Sequence, residues 1–299
     1  MNKGLGYLLM VSGLVACGGG GGGGNSGTPL NPDPTEPSSV LTIPVVVHVL
    51  YEDEYPDSNL SDEKILSQIA VLNKDFRALN EDLNTVPEEF QPFVADVGIE
   101  FKMAEINPDG LPTNGITRTE RSFVDLDGVH FTNAGGRDAW PTDQYLNIWL
   151  YDTADRNGNV GAVGRAQSPG GNPLTDGVVL DYRAIGTVPP FYGAHTKGRT
   201  ATHEIGHWLD LRHIFATNGS CEASDLVDDT PTALNQYEGK PTHPSSSCGS
   251  NDMFMNFMDY SDDDVLVMFT KGQKERMRAV FEPGGGRYDL YLNITADND

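Results

Sequence analysis

Three cysteines in 299 residues are too few for more than one internal bridge, and 20 Lys and Arg are far outnumbered by 43 Asp and Glu. The resulting formal net charge of −23 repels phosphate backbones, so nucleic acid is excluded as a partner. Long apolar runs are missing too: residues 5–15 form the only early candidate, and eleven residues cannot cross a bilayer. No internal repeat is evident. With a hydrophobic content of 38% and three Trp, wholesale disorder is also excluded, and the length suits one large domain or two small ones.

The N-terminus is a targeting segment. Met1-Asn2-Lys3 is a short positive region, and the apolar stretch ends in Leu14-Val15-Ala16-Cys17, which is similar to a bacterial lipobox. Residues 1–16 are then a signal peptide and Cys17 the lipidated new N-terminus, against the plainer alternative of a secretory signal with an incidental Cys. Gly18 to Gly24 are all glycine, and Pro29, Pro32, Pro34 and Pro37 follow. Such a stretch cannot bury enough apolar surface to fold, so residues 17–40 act as a tether spanning on the order of 25–30 Å. The expected location is the outer membrane or cell surface, or the medium if the signal is simply cleaved. Cys221 and Cys248 remain, and in an exported protein an even pair reads as one disulfide.

The chain is organised around His203-Glu204-Ile205-Gly206-His207-Trp208-Leu209-Asp210-Leu211-Arg212-His213. Histidines at i and i+4 stand one turn apart on one helix face, so both imidazoles reach a single metal ion, and the H-E-x-x-H pattern is that of zinc peptidases. A catalytic zinc takes three protein ligands and keeps a fourth position open. His213 is the natural third. A continuing helix would turn about 600° from His207, roughly 240° net, and carry it away from the metal. The helix must therefore end between them. The run resembles the metzincin pattern H-E-x-x-H-x-x-G-x-x-H, in which a left-handed Gly does this; here Asp210 stands at the Gly position, and Asp tolerates that conformation. Glu204 lies one residue from a ligand, placed to take a proton from the attacking water and pass it to the leaving amine.

Elsewhere, residues 43–51 read as a buried strand. Ser61 caps a helix whose Ile65, Ile69, Leu72 and Phe76 face the core. Residues 99–103, 145–151 and 178–182 supply further strands. Thr270 to Gln273 matches a capping box that opens a helix with Met277, Val280 and Phe281 inward. Residues 41–290 would form the catalytic domain, with an upper part to about 209 and a loop-rich lower part after it. Residues 291–299 read as a polar tail. The mixture gives an α/β (α+β) class with a mixed sheet.

Downstream, Asn256-Phe257-Met258-Asp259-Tyr260 resembles a Met-turn, in which a thioether underlies the metal. Together with Ile43-Pro44-Val45-Val46-Val47-His48-Val49, Tyr145-Leu146-Asn147-Ile148-Trp149, the segment Gly198 to Glu204, and Asp229-Thr230-Pro231, it makes the chain similar to the pappalysin family of metzincins, in its bacterial cytophagalysin-like branch. The resemblance covers roughly residues 43–277. It implies a zincin fold with a twisted sheet, a backing helix and an active-site helix, a cleft between two subdomains, and an edge strand near residues 161–167 that pairs with extended substrate. It further implies a monomeric zinc endopeptidase acting on proteins or peptides, with Met258 beneath the metal and Tyr260 either donating to the oxyanion or packing as a structural Tyr.

Cys221 and Cys248 match one of the two bridges common in the family; the other pair is absent, with Val265 at one of its positions. The resemblance sets Asp263 in the pocket for the residue after the cut, where it would favour Arg or Lys; a solvated acidic turn at 262–264 is the competing reading. It also sets Asp225, Asp228 and Thr230 where members hold a structural Ca²⁺, though these side chains could equally cap or face solvent. Some members of the family are made with a pro-segment bearing an inhibitory Cys; here only the tether precedes the expected domain. Two other readings stay open: a surface module that binds without cutting, and a zinc amidase acting on cell-wall peptide.

Overall fold

The computed structural model describes residues 40–121, 128–154 and 160–296. Cys17, the signal peptide and the tether through residue 39 lie outside them. No helix among the described residues is long and apolar enough to cross a membrane.

The first strand, β1 (Leu41–Tyr51), is the axis of the sheet. Its β-branched run is buried on both faces, as expected for a central strand in a mostly parallel sheet. Ile43, Val45, Val47 and Val49 enter the main core, whereas Val46 and Leu50 pack behind the sheet with Trp140 and Trp149. Helix α1 (Asp62–Asp75) follows. Ser61 caps it through the Lys64 amide at 3.2 Å. Ile65, Ile69, Leu72 and the flanking Phe76 are buried against the sheet, each contributing about 1.5–3 kcal/mol. The exposed Lys74–Glu81 pair at 3.1 Å adds little beside that.

Two strands share one side of β1. β2 (Ile99–Met103) pairs with its first half, Leu41 opposite Ile99, and β3 (Ile116–Glu120) with its second, Val47 opposite Ile116, both parallel. On the other side come β4 (Leu146–Tyr151), then β5 (Gly164–Ala166) and β6 (Val178–Asp181) in the spatial order β4-β6-β5. Only β5 runs antiparallel, and it forms the free edge. This is the twisted mixed sheet expected, with an edge strand inside 161–167.

Helix α2 (Arg199–Trp208) carries the histidine motif across the sheet. Arg199 pairs with Asp75 of α1 and donates to Asp82 at 3.0 Å, while Thr202 donates to Asp75 at 2.6 Å. These bonds fix α2 on α1. The Cys221–Cys248 disulfide is present in the loop-rich segment that follows. β7 (Ser246–Ser247) and β8 (Ser250–Asn251) make a small hairpin there. Helix α3 (Lys271–Ala279) opens with the expected Thr270–Gln273 capping box.

The C-terminus departs from expectation. Residues placed in a polar tail continue as α4 (Tyr288–Thr295), with Leu290 buried and Tyr291 and Ile294 packed on the core. The apolar spacing 290, 291, 294 is helical, but one short amphipathic turn is easily lost among Asn and Asp.

His48 is fully buried between Asn147 Oδ1 (3.0 Å) and Thr117 Oγ1 (2.8 Å). Burial pulls its imidazole from 6.5 down to about 4. The unfolded chain therefore takes up this proton first, so the stability present above pH 6.5 is lost as pH falls toward 4. Between those limits the protein should lose about 3 kcal/mol more than His48→Gln does. Urea unfolding of both proteins across that range checks it; parallel curves would show that His48 has no part in acid unfolding.

Candidate active site

α2 ends where the motif requires. Leu211 N–H bonds the Gly206 carbonyl at 2.9 Å and Asp210 N–H bonds that of His207 at 3.0 Å, a Schellman closure. Asp210 takes the left-handed conformation, φ +74°. Arg276 of α3 clamps it, binding its carbonyl at 2.7 Å and its carboxylate at 2.6 Å. The chain thereby turns back and presents His213 to the helix.

The three Nε2 atoms converge: His203 to His207 3.0 Å, His207 to His213 3.0 Å, His203 to His213 3.2 Å. Nitrogens about 2.0–2.1 Å from a tetrahedral zinc stand about 3.3 Å apart, so the triangle fits that ion closely. His203 Nδ1–H donates to the Phe257 carbonyl at 2.7 Å and His207 Nδ1–H to that of Leu211 at 2.8 Å. Those bonds leave both Nε2 lone pairs facing inward. Burial lowers all three imidazoles, His213 to about 4, which favours their neutral, ligating form. Among the described residues this is the one His/Cys/Asp/Glu group arranged to hold a metal.

Glu204 is buried and accepts no hydrogen bond among the described residues. Burial pushes its carboxyl up to about 8, against the pull of Arg165. It stands against the edge strand: a Cβ on Gly164 would lie 2.6 Å from its Oε1. Nothing in the sequence reading singled out Gly164; only a glycine in a short edge strand hinted at close approach. Gly164→Ala should displace the whole Glu204 side chain, since the added Cβ would also lie 2.7 Å from its Cγ and 2.9 Å from its Cδ. We expect kcat to fall about 10–100-fold in a protein that still folds. Unchanged kcat would mean that Glu204 need not sit where the structure puts it.

Met258 lies beneath the helix, and a Cβ on Gly206 would meet its sulfur at 2.5 Å, so the glycine admits the thioether. The turn is tied to α3: Asn256 Oδ1 takes the Met258 amide at 2.9 Å and its Nδ2 donates to Gln273 at 2.8 Å. Asp259, which sequence reasoning also passed over, accepts the amides of Tyr237 (2.9 Å) and Tyr260 (2.6 Å) and so sets the start of Tyr260. Tyr260 is half exposed, its ring 4.8 Å from that of His213. It is therefore not a buried packing residue.

Glu204, His203, Tyr260, Asp263 and residues 161–164 share a cavity of ≈480 Å³. A second, of ≈310 Å³, opens on the other side of the histidines by Ser168, Phe215 and Thr217. Asp263 is nearly buried, its Oδ2 accepting the amides of Lys197 (2.8 Å) and Arg199 (3.3 Å) ahead of α2. The 262–264 turn is thus no simply solvated loop. Thr230 donates to Asp225 at 2.7 Å, bringing two of the three calcium candidates together, while Asp228 is exposed.

A convergent imidazole triad closed by a left-handed turn, a buried carboxylate beside it, a methionine below and a free strand edge alongside define a metalloendopeptidase of the metzincin class. A family model described as pregnancy-associated plasma protein-A matches residues 132–282. The chain belongs to that family, the pappalysins. Mature mirolysin of Tannerella forsythia, solved with a cleaved peptide, is 44% identical with a TM-score of 0.81, covering 87% of this chain and 98% of that one. Promirolysin of the same organism is 43% identical with 87% of each chain covered and the same TM-score, 0.81. Proteins named extracellular metalloprotease are similar as well: one from Pyricularia oryzae is 31% identical over 255 residues, 81% of this chain and 76% of its own. Another, from Arthroderma benhamiae, is 29% identical over 248 residues, 79% and 76%.

Proposed function

We propose that this protein is an exported zinc endopeptidase that cuts extended peptide chains laid along β5. The observation that carries the reading is the 3.0–3.2 Å imidazole triangle with Glu204 beside it at the floor of the edge-strand cleft. His203, His207 and His213 would hold the zinc, which when bound would supply Lewis acidity at the scissile carbonyl and lower the pKa of the attacking water. Glu204 takes that water's proton and delivers it to the departing amine. The Tyr260 phenol donates to the carbonyl oxygen as negative charge builds there. Backbone groups of β5 pair with the substrate and hold its register.

The direction of β5 orders the two cavities. A peptide antiparallel to it has its N-terminal part by Ser168 and its C-terminal part by Gly161, so the larger cavity receives the residue after the cut. Asp263 in its wall supports a preference for Arg or Lys there. Asp225 and Thr230, already in contact, suit oxygen ligation of a structural Ca²⁺, with the exposed Asp228 as a third candidate ligand. The enzyme works as a monomer, anchored through a lipid on Cys17 at the outer membrane or cell surface; Cys17→Ser should release it into the medium.

Mass-spectrometric mapping of cuts in a proteome-derived peptide mixture tests the reading, with residues 41–299 run beside Glu204→Ala. Cuts confined to the intact protein and clustered before Arg or Lys are expected. Cuts without that bias would discard the pocket assignment and keep the enzyme. No cuts from a folded, zinc-loaded sample would contradict the activity itself.

A further inference from the structure

The reading of the larger cavity as the site for the residue after the cut leads one step further. We infer that His195 sets how strongly this cavity favours a basic side chain, because it competes for Asp263. Asp263 Oδ2 is committed to the amides of Lys197 and Arg199, at 2.8 and 3.3 Å. Its other oxygen, Oδ1, lies 3.9 Å from His195 Nδ1. The imidazole is held in place on two further sides. Its Nδ1 is 3.0 Å from Thr200 Oγ1, and its ring stacks on Tyr192 with planes 12° apart. Tyr192, His195, Thr200 and Asp263 all line the cavity.

Histidine changes charge between about pH 5 and 8, and an opposite charge within about 4–6 Å alters what a carboxylate can attract. As a cation, His195 offsets Asp263 and repels an incoming Arg or Lys. As a neutral ring it leaves the carboxylate to the substrate. The other charged groups around the cavity are engaged or differently placed. Arg199 is bound to Asp75 and Asp82, and Lys197 to Asp82 and Asp264. Glu204 and Tyr260 stand by the metal ligands, Asp259 faces backbone amides, and Arg183, over the Tyr192 ring, is paired with Asp152 and Asp181. Glu238 lines the cavity as a second, exposed carboxylate, and Arg165 on β5 is exposed beside Glu204; both are common to the variants compared below. Asp263 is itself pushed up by burial, so its own protonation is the rival source of any pH effect.

Competition between two peptides that differ only in Arg or Leu after the cut isolates the effect. Their ratio of kcat/KM cancels every pH-dependent step they share. For the zinc-loaded protein the Arg/Leu ratio should rise about five- to tenfold from about pH 5.5 to about pH 8. In His195→Gln it should stay flat, at the high value. Asp263→Asn should lower it at both pH values. A rise that persists in His195→Gln would assign the effect to Asp263 and overturn the inference, as would a constant high ratio in the parent protein. A ratio near one in every protein would instead remove the pocket reading on which the inference rests.

Discussion

Glu204→Gln should lower kcat by roughly 10²–10⁴-fold, the usual contribution of a positioned general base, and should raise the thermal stability of the metal-stripped protein. The first effect follows from chemistry: an amide can neither take nor return the proton. The second follows from burial. Glu204 accepts no hydrogen bond among the described residues, and its carboxyl is pushed from 4.5 to about 8. A carboxylate raised in the fold contributes stability below the unfolded value and loses it as pH rises through the folded one. At neutral pH the folded side chain must therefore take up a proton that the unfolded chain has released, a cost to the fold that glutamine, of the same shape, does not carry. A gain on the order of 1–3 kcal/mol is expected, less than the full difference because a buried amide is also underbonded. Activity and melting curves on both proteins decide it. Loss of activity together with loss of stability would recast Glu204 as a structural residue. A catalytic group kept at a cost to the fold should show the two changes in opposite directions.

Stripping zinc should abolish activity and lower the melting temperature, and His213→Ala should lose most of that second response. Three neutral Nε2 lone pairs within 3.0–3.2 Å of each other repel unless a cation lies among them. An ion present at 1,000 times its Kd stabilises a folded protein by about 4.1 kcal/mol. For a domain of this size that corresponds to roughly 8–16 °C. His213 is the ligand supplied from beyond the helix, so its removal leaves only the i, i+4 pair of α2. Scanning calorimetry with and without a chelator measures both. An equal shift in His213→Ala would place the stabilising metal elsewhere.

Most of this site could be read from the chain because it depends on local chemistry. The i, i+4 spacing of His203 and His207 and the need for a left-handed stop before His213 are consequences of helix geometry, and Asp210 adopts φ +74° accordingly. β1, β2, β4 and β6 announced themselves by β-branched or alternating apolar residues. β3 did not: Ile116-Thr117-Arg118-Thr119-Glu120 is mostly polar, and its partner is the far half of β1, 69 residues earlier. Edge strand β5 has three residues, too few for any period, and entered only through family resemblance. Long-range placement was the other blind spot. Nothing near Gly164 in sequence indicates that it faces Glu204, 40 residues on. Likewise Asp263 read as a pocket residue or a solvated turn, whereas it also binds the amides that lead into α2. His48 gave no sign that Thr117 and Asn147 would enclose it. In each case the partner is set by how strands order in the sheet, which local pattern does not encode.

The central claim is that one zinc ion, held by His203, His207 and His213, is what the activity depends on. Zinc titration into the chelator-stripped protein, following peptide hydrolysis and bound metal together, tests it most directly. Activity should climb in proportion to bound zinc and break at one ion per chain, with none recovered in the His203→Ala protein. Full activity in the stripped protein, or a break that survives loss of His203, would contradict the account.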